Sequence, residues 1–230
     1  MTPKIKILFD KERDLKNIWD NCNSKMSYGQ KEIKGVSENI IKICQGKKYE
    51  TCKPELEKVM KSTYKSLFIP LTIDSLKKGW VKVSKEYFKR LEKITGRKFQ
   101  EREVIAYITT TGRCPYSPNQ KIPYFFVNFF SNLPHSMKTM GHELMHIHLH
   151  NTDWWDKVKS EIGYDKTHDL KEALTEILNL EFRDLWLVKD EGYPNHQQLR
   201  RYIAERWKKS KDFNKLTKEC IVWIKKRGVK

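Results

Sequence analysis

Residues 140–146 have the sequence Met140-Gly141-His142-Glu143-Leu144-Met145-His146. They lie inside a helix that the sequence predicts over about residues 135–150. Two histidines four positions apart share one face of such a helix, so both imidazoles can reach one metal ion. Glu143 points alongside that ion. The segment therefore predicts a metal site with a carboxylate base next to it.

A third ligand is expected from another element, because a catalytic zinc site uses three protein ligands and keeps one position open for water. A helix predicted over about residues 168–188 carries two carboxylates at positions i and i+4, Glu172 and Glu176. Glu172 is the predicted third ligand. Glu176 is predicted to accept the second ring N–H of a ligating histidine. A pair of solvated helix charges is the alternative for both glutamates.

Rival ligands near the motif fit less well. His148 lies on a different side of an unbroken helix from His146, and His150 lies a further turn along, too far for a shared tetrahedral site. The tenth position after the first histidine is Thr152, which excludes the metzincin pattern. The minor candidates that stay open are His168 and Asp153.

The surrounding sequence predicts an α+β fold. Residues 103–110 and 122–130 are rich in β-branched and aromatic side chains and predict two strands of one sheet, with turn residues between them. Pro123 favours an edge position for the second strand. Residues 4–9 alternate like a further short strand. Other helices are predicted over about 10–22, 32–45, 54–67 from Pro54 in a first turn, 75–95 and 196–226.

The motif His142-Glu143-Leu144-Met145-His146, followed on a later helix by Glu172 and Glu176, resembles the gluzincin branch of the zincin metallopeptidases. That branch has the pattern HExxH…ExxxD/E. The resemblance covers roughly residues 103–188. It implies a zincin-like fold, in which a small mixed sheet with an edge strand lies beside the HExxH helix, and a glutamate helix and mostly helical flanks complete the chain.

The resemblance also implies Zn²⁺ bound by His142, His146 and Glu172, with Glu176 supporting a ligand histidine. Two positions depart from the family pattern. Lys171 stands where an Asn often precedes the ligand Glu, and Glu176 replaces the more usual Asp. These departures concern the surroundings of the metal more than the metal ligands.

The implied activity is hydrolysis of peptide bonds by attack of zinc-bound water. Glu143 is the expected base, which accepts the water proton and delivers it to the leaving amine. An oxyanion donor is also needed, and Tyr164 and His196 are candidates that nothing in the sequence selects. The aromatic strand could pair with an extended substrate, with Asn128 as a polar contact. Trp154-Trp155 is expected either to pack in the core or to wall the cleft.

The chain of 230 residues has a formal net charge of +17, from 46 basic and 29 acidic side chains. The balance is +12 over residues 1–100, −4 over 101–196 and +9 over 197–230. Such a total suggests an anionic partner, but 36 basic residues are Lys and only 10 are Arg, whereas bidentate phosphate recognition favours Arg. Lysines on solvated helix faces are the simpler explanation.

The composition excludes several classes of protein. With 38% hydrophobic and 12% aromatic residues, the chain is expected to fold rather than stay disordered. No run approaches the roughly eighteen apolar residues of a membrane span, and the N-terminus lacks the apolar segment of a secretory signal, so a cytoplasmic protein is expected. Five cysteines without a CxxC pair argue against a disulfide framework and a thiolate zinc site.

The predicted organisation is a mostly helical region over residues 1–100, a zincin-like catalytic core over 101–195 and a basic helical region over 196–230, together one compact domain. The expected partner is a peptide or protein substrate, with nucleic acid as a candidate on the basic flanks and no membrane. Two alternatives stay open. One is a Spartan-like metalloprotease recruited to nucleic acid, although such enzymes typically use a third His. The other is a non-catalytic helical binding module with a structural or vestigial metal site.

Overall fold

A small mixed sheet organises the part of the chain that the structure, a computed structural model, describes: residues 2–24, 33 and 35–227. Its strands are β1 (Lys4–Phe9), β2 (Glu103–Thr109), β3 (Tyr116–Ser117) and β4 (Tyr124–Asn128). Their order is β1-β2-β4-β3, with β1, β2 and β4 parallel and β3 antiparallel to β4. Helices surround the sheet, so the α+β class predicted from the sequence is confirmed.

The predicted edge position of β4 is wrong, because β4 lies between β2 and β3. The Phe126 N–H donates to the Pro115 carbonyl at 3.0 Å, and the Ile105 N–H donates to the Pro123 carbonyl at 3.0 Å. Pro123 is tolerated because it precedes the first residue of the strand, where a missing N–H breaks no ladder bond. The turn-rich segment before it folds back and supplies β3 as the edge strand.

The helices enclose the sheet and provide most of the interior. Their bounds are α1 (Lys11–Asn23), α2 (Glu38–Cys44), α3 (Tyr49–Tyr64), α4 (Phe68–Thr95), α5 (Leu133–His150), α6 (Asp153–Ile162), α7 (Tyr164–Leu174), α8 (Glu176–Glu181), α9 (Gln197–Ser210) and α10 (Phe213–Arg227). Among the described residues, no helix is long and apolar enough to cross a membrane.

Two predicted helices are each divided into two. The helix predicted over 168–188 is instead α7 and α8, which meet at Thr175, and a short 3₁₀ turn over Arg183–Leu185 follows them. The last helical region is divided at Lys211, whose φ of 53° ends α9 before α10 begins. The break at Thr175 matters for the site, because residues on either side of it no longer share a helix face.

Helix boundaries in the N-terminal region also differ from those predicted. Helix α3 begins at Tyr49, so Pro54 lies inside the helix rather than in its first turn. Helix α4 begins at Phe68, a full two turns before the predicted start. The helix predicted over 32–45 begins outside the described residues, and α2 accounts for its second half.

Helix α5 carries the histidine motif through the middle of the molecule. Asn132 caps its start by accepting the His135 N–H at 3.0 Å. Every residue from Met140 to Leu149 is buried except His142, which is partly exposed. The motif helix is therefore covered on most sides and reaches solvent on the side of His142.

Two hydrophobic clusters stabilise the fold. The larger one joins the sheet to α4, α5 and the C-terminal helices, and its members extend from Ile7 to Ile224. The smaller one lies between α1, α2 and α3 and includes Leu15, Cys44 and Leu56. All five cysteines are free thiols. Because the larger cluster uses residues from both ends of the chain, the regions predicted separately share an interior.

Basic residues of the N-terminal region follow the outer surface of α4. The inner face of this helix buries Leu76, Trp80, Tyr87 and Leu91. The exposed lysines on the same helix are Lys77, Lys78, Lys82, Lys85, Lys89 and Lys93. This separation is that of an amphipathic helix with a solvated polar face.

Gly141 allows aromatic rings to approach the motif helix closely. A Cβ at this position would lie 2.6 Å from Cη2 of Trp186 and 3.3 Å from Cε2 of Tyr87. The Tyr87 hydroxyl donates to the Gly141 carbonyl at 2.6 Å. Only glycine fits this contact, so the packing of α5 against α4 and Trp186 depends on it.

Substitution Gly141→Ala is expected to lower the free energy of unfolding by about 1–3 kcal/mol, because the new methyl group overlaps a buried indole. Gly79→Ala on α4 is the matched control. Its Cβ would meet the flexible Met137 Sδ at 3.3 Å, and alanine favours the helix. Urea unfolding followed by circular dichroism compares the two. Equal stability of both variants would contradict the close packing at Gly141.

Candidate metal centre

Helix α5 presents the two motif histidines on one face. Their ring centroids are 4.3 Å apart and the rings are nearly perpendicular. His146 is buried, whereas His142 lies at the border of a cleft. This is the arrangement that the four-residue spacing predicts.

Glu172, near the end of α7, brings a carboxylate to the same point. Its Oε2 lies 3.1 Å from His146 Nε2 and 3.6 Å from His142 Nε2. One donor atom from each of the three residues lies within 4.8 Å of the others. Two ligands of one tetrahedral zinc are about 3.4 Å apart. The three predicted ligands are therefore brought together with spacings that fit such an ion.

Lys171 holds the other oxygen of Glu172 and is itself held by Tyr116. The Lys171 ammonium donates to Glu172 Oε1 at 2.8 Å and to the Tyr116 hydroxyl at 2.9 Å. Lys171 is only 1% exposed. Burial would raise the pKa of Glu172, but His146 and Lys171 hold it well below its usual range. The carboxylate is thus charged, with one oxygen occupied and one oxygen facing the histidines.

Asp190 supports His142 from behind, and the sequence did not predict this residue. Asp190 Oδ2 lies 2.6 Å from His142 Nδ1. A donor N–H at Nδ1 fixes the ring tautomer and leaves Nε2 to face Glu172. Burial opposes the charged form of His142, but the Asp190 carboxylate outweighs it and raises the pKa of His142 to about 10. Burial opposes the charge of Asp190 too, yet His142 keeps its pKa well below the usual range.

The predicted role of Glu176 as partner of a ligand histidine is not what the structure has. Its carboxylate accepts from Arg200 Nη2 at 2.8 Å and from Asn179 Nδ2 at 3.0 Å. The prediction assumed one continuous helix, but the break at Thr175 places Glu176 at the start of α8. Glu176 is linked to His142 only indirectly, because its partner Arg200 also contacts Asp190 Oδ1 at 3.2 Å and Asp190 contacts His142.

His146 differs from His142 in its surroundings. Its Nδ1 is buried and has no hydrogen-bond partner among the described residues. The Tyr116 ring lies beside it, with centroids 5.3 Å apart. Burial lowers the pKa of His146 to about 3, so its ring is neutral at neutral pH. A neutral imidazole is the form that binds a metal ion.

Glu143 lies next to these ligands with its side chain almost fully buried. It is 6% exposed and forms part of the cleft wall. Burial raises the pKa of Glu143, His142 opposes this change and Glu172 adds to it, so that the pKa is about 7. The carboxylate of the predicted base therefore lies beside the motif histidines and lines the cleft.

The cleft beside the centre has a volume of about 350 Å³. Its walls come from the segment after β2, the end of β4, the outer face of α5 and residues 189–193. Asn128, predicted as a polar contact for substrate, lines it. Tyr193 lines it as well, although the sequence did not distinguish this residue from other aromatic residues in the region.

Both candidate oxyanion donors lie elsewhere. Tyr164 is 60% exposed and packs against Trp155 and His168. His196 is buried, with Nε2 3.0 Å from Asp169 Oδ1. Neither residue lines the cleft, so the structure does not bring these two predicted oxyanion donors to it. Their positions in the sequence did not predict where their side chains point, because the chain changes direction at several helix ends after the motif.

The remaining rival residues have structural partners. His148 lies 2.8 Å from the Thr95 hydroxyl and stacks on Phe99. His150 stacks on Trp155, which is buried, so the tryptophan pair packs in the core rather than walling the cleft. Asp153 pairs with Arg97 at 2.6 Å. None of these residues belongs to the group of donors around Glu172.

Comparison of this chain with protein-family models, with curated proteins and with solved structures found no match. The assignment of a function therefore rests on the geometry of the centre itself.

Substitution Lys171→Met is expected to destabilise the metal-free protein by about 3–5 kcal/mol, because Glu172 is left buried without its charged partner. Adding Glu172→Gln removes the second charge and is expected to recover much of the loss. Chemical denaturation of the four proteins in chelator-treated buffer completes a double-mutant cycle. Additive effects of the two substitutions would contradict the coupling between Lys171 and Glu172.

Substitution Asp190→Ala is expected to weaken zinc affinity about 10- to 100-fold, since it removes the acceptor that orients His142. Glu176→Ala is the matched control and is expected to change the affinity much less, because its carboxylate contacts Arg200 rather than a histidine. Competition with a chromophoric chelator measures both affinities. A larger loss of zinc affinity in Glu176→Ala than in Asp190→Ala would show that Glu176, not Asp190, supports the ligand histidine.

Proposed function

We propose that the protein is a zinc-dependent peptidase of the zincin-like type, which hydrolyses peptide bonds. The observation that carries the proposal is the convergence of His142, His146 and Glu172, with donor atoms within 4.8 Å of one another, beside the buried Glu143 carboxylate. Two histidines and one glutamate are a ligand set of catalytic zinc sites that keep a position for water. A structural site would use all four positions for protein ligands.

His142, His146 and Glu172 would hold the ion, and neighbouring side chains orient two of these ligands. Bound zinc supplies a Lewis acid that lowers the pKa of a water ligand and polarises a carbonyl group. Asp190 orients His142, and Lys171 occupies one oxygen of Glu172. Only the second oxygen of Glu172 then faces the histidines, which favours a low coordination number and leaves room for water and substrate.

Glu143 would act as the proton carrier of the reaction. Its carboxylate accepts a proton from the attacking water and returns it to the nitrogen of the leaving amine. It is suited to this because it lines the cleft next to His142 while its own helix is rigidly packed.

The strand arrangement beside the centre also supports the zincin-like proposal. Strand β3 is an antiparallel edge strand, and its Tyr116 contacts both Lys171 and the His146 ring. An extended peptide can add to such an edge by main-chain hydrogen bonds. Strand β3 covers the edge of β4, the aromatic strand that the sequence predicted to pair with an extended substrate. We therefore expect β3 to pair with the substrate instead.

Substitution Glu143→Gln is expected to keep zinc binding and abolish hydrolysis, because it removes the base and leaves all three ligands. Glu172→Ala is the matched variant and is expected to lose zinc affinity. Metal analysis of the purified proteins and mass spectrometry of a peptide mixture incubated with each give the two readouts. A wild-type protein that takes up no zinc would refute the proposal and favour a non-catalytic module, as would full activity of Glu143→Gln.

A further inference from the structure

One lysine in the cleft makes only a long ion pair to the residues of the centre and no hydrogen bond to them. Lys138 precedes His142 by one turn on the same face of α5 and lines the same cleft as Glu143. Its side chain is 18% exposed. Lysine is among the residues least often withdrawn from water unless it is paired. Its position therefore needs an explanation in terms of a partner.

The protein itself supplies that partner poorly. The nearest carboxylate oxygen is Asp190 Oδ2 at 3.9 Å, which is beyond hydrogen-bond distance. That oxygen already contacts His142 Nδ1, and Asp190 Oδ1 is engaged by Thr175 and Arg200. An ammonium group has three donors, and Lys138 uses none of them on another described residue.

The other basic side chains of the cleft, apart from His142 itself, are either paired or remote from the centre. Lys189 donates to Glu191 at 3.0 Å and is half exposed at the cleft mouth. His135 is exposed one helical turn further out on α5. Among the described residues that line the cleft, Lys138 is thus the lysine that is shielded from solvent and close to the predicted ligands. Its ammonium group makes no hydrogen bond to a described residue.

The distance of this cation from the centre limits what it can bind. Two contacts of 3.9 and 2.6 Å join the Lys138 ammonium to the His142 ring through Asp190. The ammonium is therefore within about 11 Å of an ion at His142 Nε2. An extended peptide advances about 3.4 Å per residue, so this range covers two or three residues from the cleaved bond.

We propose that Lys138 binds a carboxylate of the substrate, so that the preferred peptides carry an acidic side chain or a free C-terminus within three residues of the cleaved bond. This rests on the proposed function, because it assumes that a peptide occupies the cleft. The carboxylate completes the hydrogen bonds of the ammonium, and a charge-assisted pair in a shielded cleft is strong. An amide at the same place leaves the cation unpaired.

The test measures binding without turnover. The probes are three hydroxamate-capped dipeptides that differ only in their last residue: Gln-amide, Glu-amide, and Gln with a free carboxylate. The hydroxamate group is a general zinc-binding group, and isothermal titration on the zinc-loaded full chain gives the affinities. One or both carboxylate probes are expected to bind about 10- to 100-fold more tightly than the neutral probe. The pair of carboxylate probes distinguishes a side chain from a C-terminus.

Three variants assign the preference to one residue. Lys138→Met is expected to abolish it, and Lys138→Arg to retain it. Lys189→Met, which changes the paired lysine at the cleft mouth, is expected to leave it unchanged. Zinc content and thermal unfolding check each variant, and Lys138→Gln replaces Lys138→Met if the latter does not fold.

Other outcomes overturn the proposal in distinguishable ways. Equal affinity of the zinc-loaded wild type for the three probes refutes the carboxylate preference and leaves the metal centre standing. A preference that persists in Lys138→Met refutes the assignment to this residue. Failure of every probe to bind the zinc-loaded chain refutes the proposed function, and the inference about Lys138 with it.

Discussion

The arrangement of the whole centre depends on the buried charge of Glu172. A carboxylate that is shielded from water is stable only if each oxygen has a partner, and here the two oxygens have different ones. Lys171 holds Oε1, while Oε2 faces the two histidines. This division gives the lysine at position 171 a role that a neutral side chain could not fill. A neutral amide would satisfy a hydrogen bond but would not balance the charge in the absence of metal.

The positions of the histidines depend in turn on how α5 is packed. Tyr87 donates to the Gly141 carbonyl, and the Trp186 ring lies where a side chain at Gly141 would be. The turn of helix that carries His142 and Glu143 is therefore held from the side opposite the cleft. A site whose donors sit on a helix locked by aromatic packing keeps its geometry without depending on mobile loops.

Local spacing predicted part of this arrangement well. The histidines share a face because a helix has 3.6 residues per turn, and Glu172 follows from the need for a third ligand. What spacing could not predict is contact between elements distant in sequence. Asp190 lies in a segment without regular structure, and nothing in its neighbours distinguishes it from other acidic residues. Spacing also did not predict the helix break at Thr175, after which the carboxylate of Glu176 contacts Arg200 and Asn179 rather than a histidine.

In the sheet, too, the sequence predicted local structure better than the contacts between distant elements. Residues that are rich in β-branched and aromatic side chains marked β2 and β4 correctly, since such residues favour a pleated surface. A strand of two residues such as β3 has no periodicity of its own, so it was not predicted and β4 was expected at the edge. Tyr116, the residue of β3 that contacts Lys171, could be found only from the folded chain.

The ion pair between Arg200 and Asp190 carries a consequence for how the protein is made. Asp190 orients a histidine that was synthesised about fifty residues earlier, and Arg200, which contacts Asp190, belongs to the later helix α9. Domains generally fold as their chain emerges during synthesis. The histidine motif and Glu172 therefore leave the ribosome before the residues that fix their orientation. The centre therefore reaches its final geometry only after Asp190 and Arg200 have been synthesised, and a chain interrupted before Asp190 would carry the ligands without the support that His142 receives.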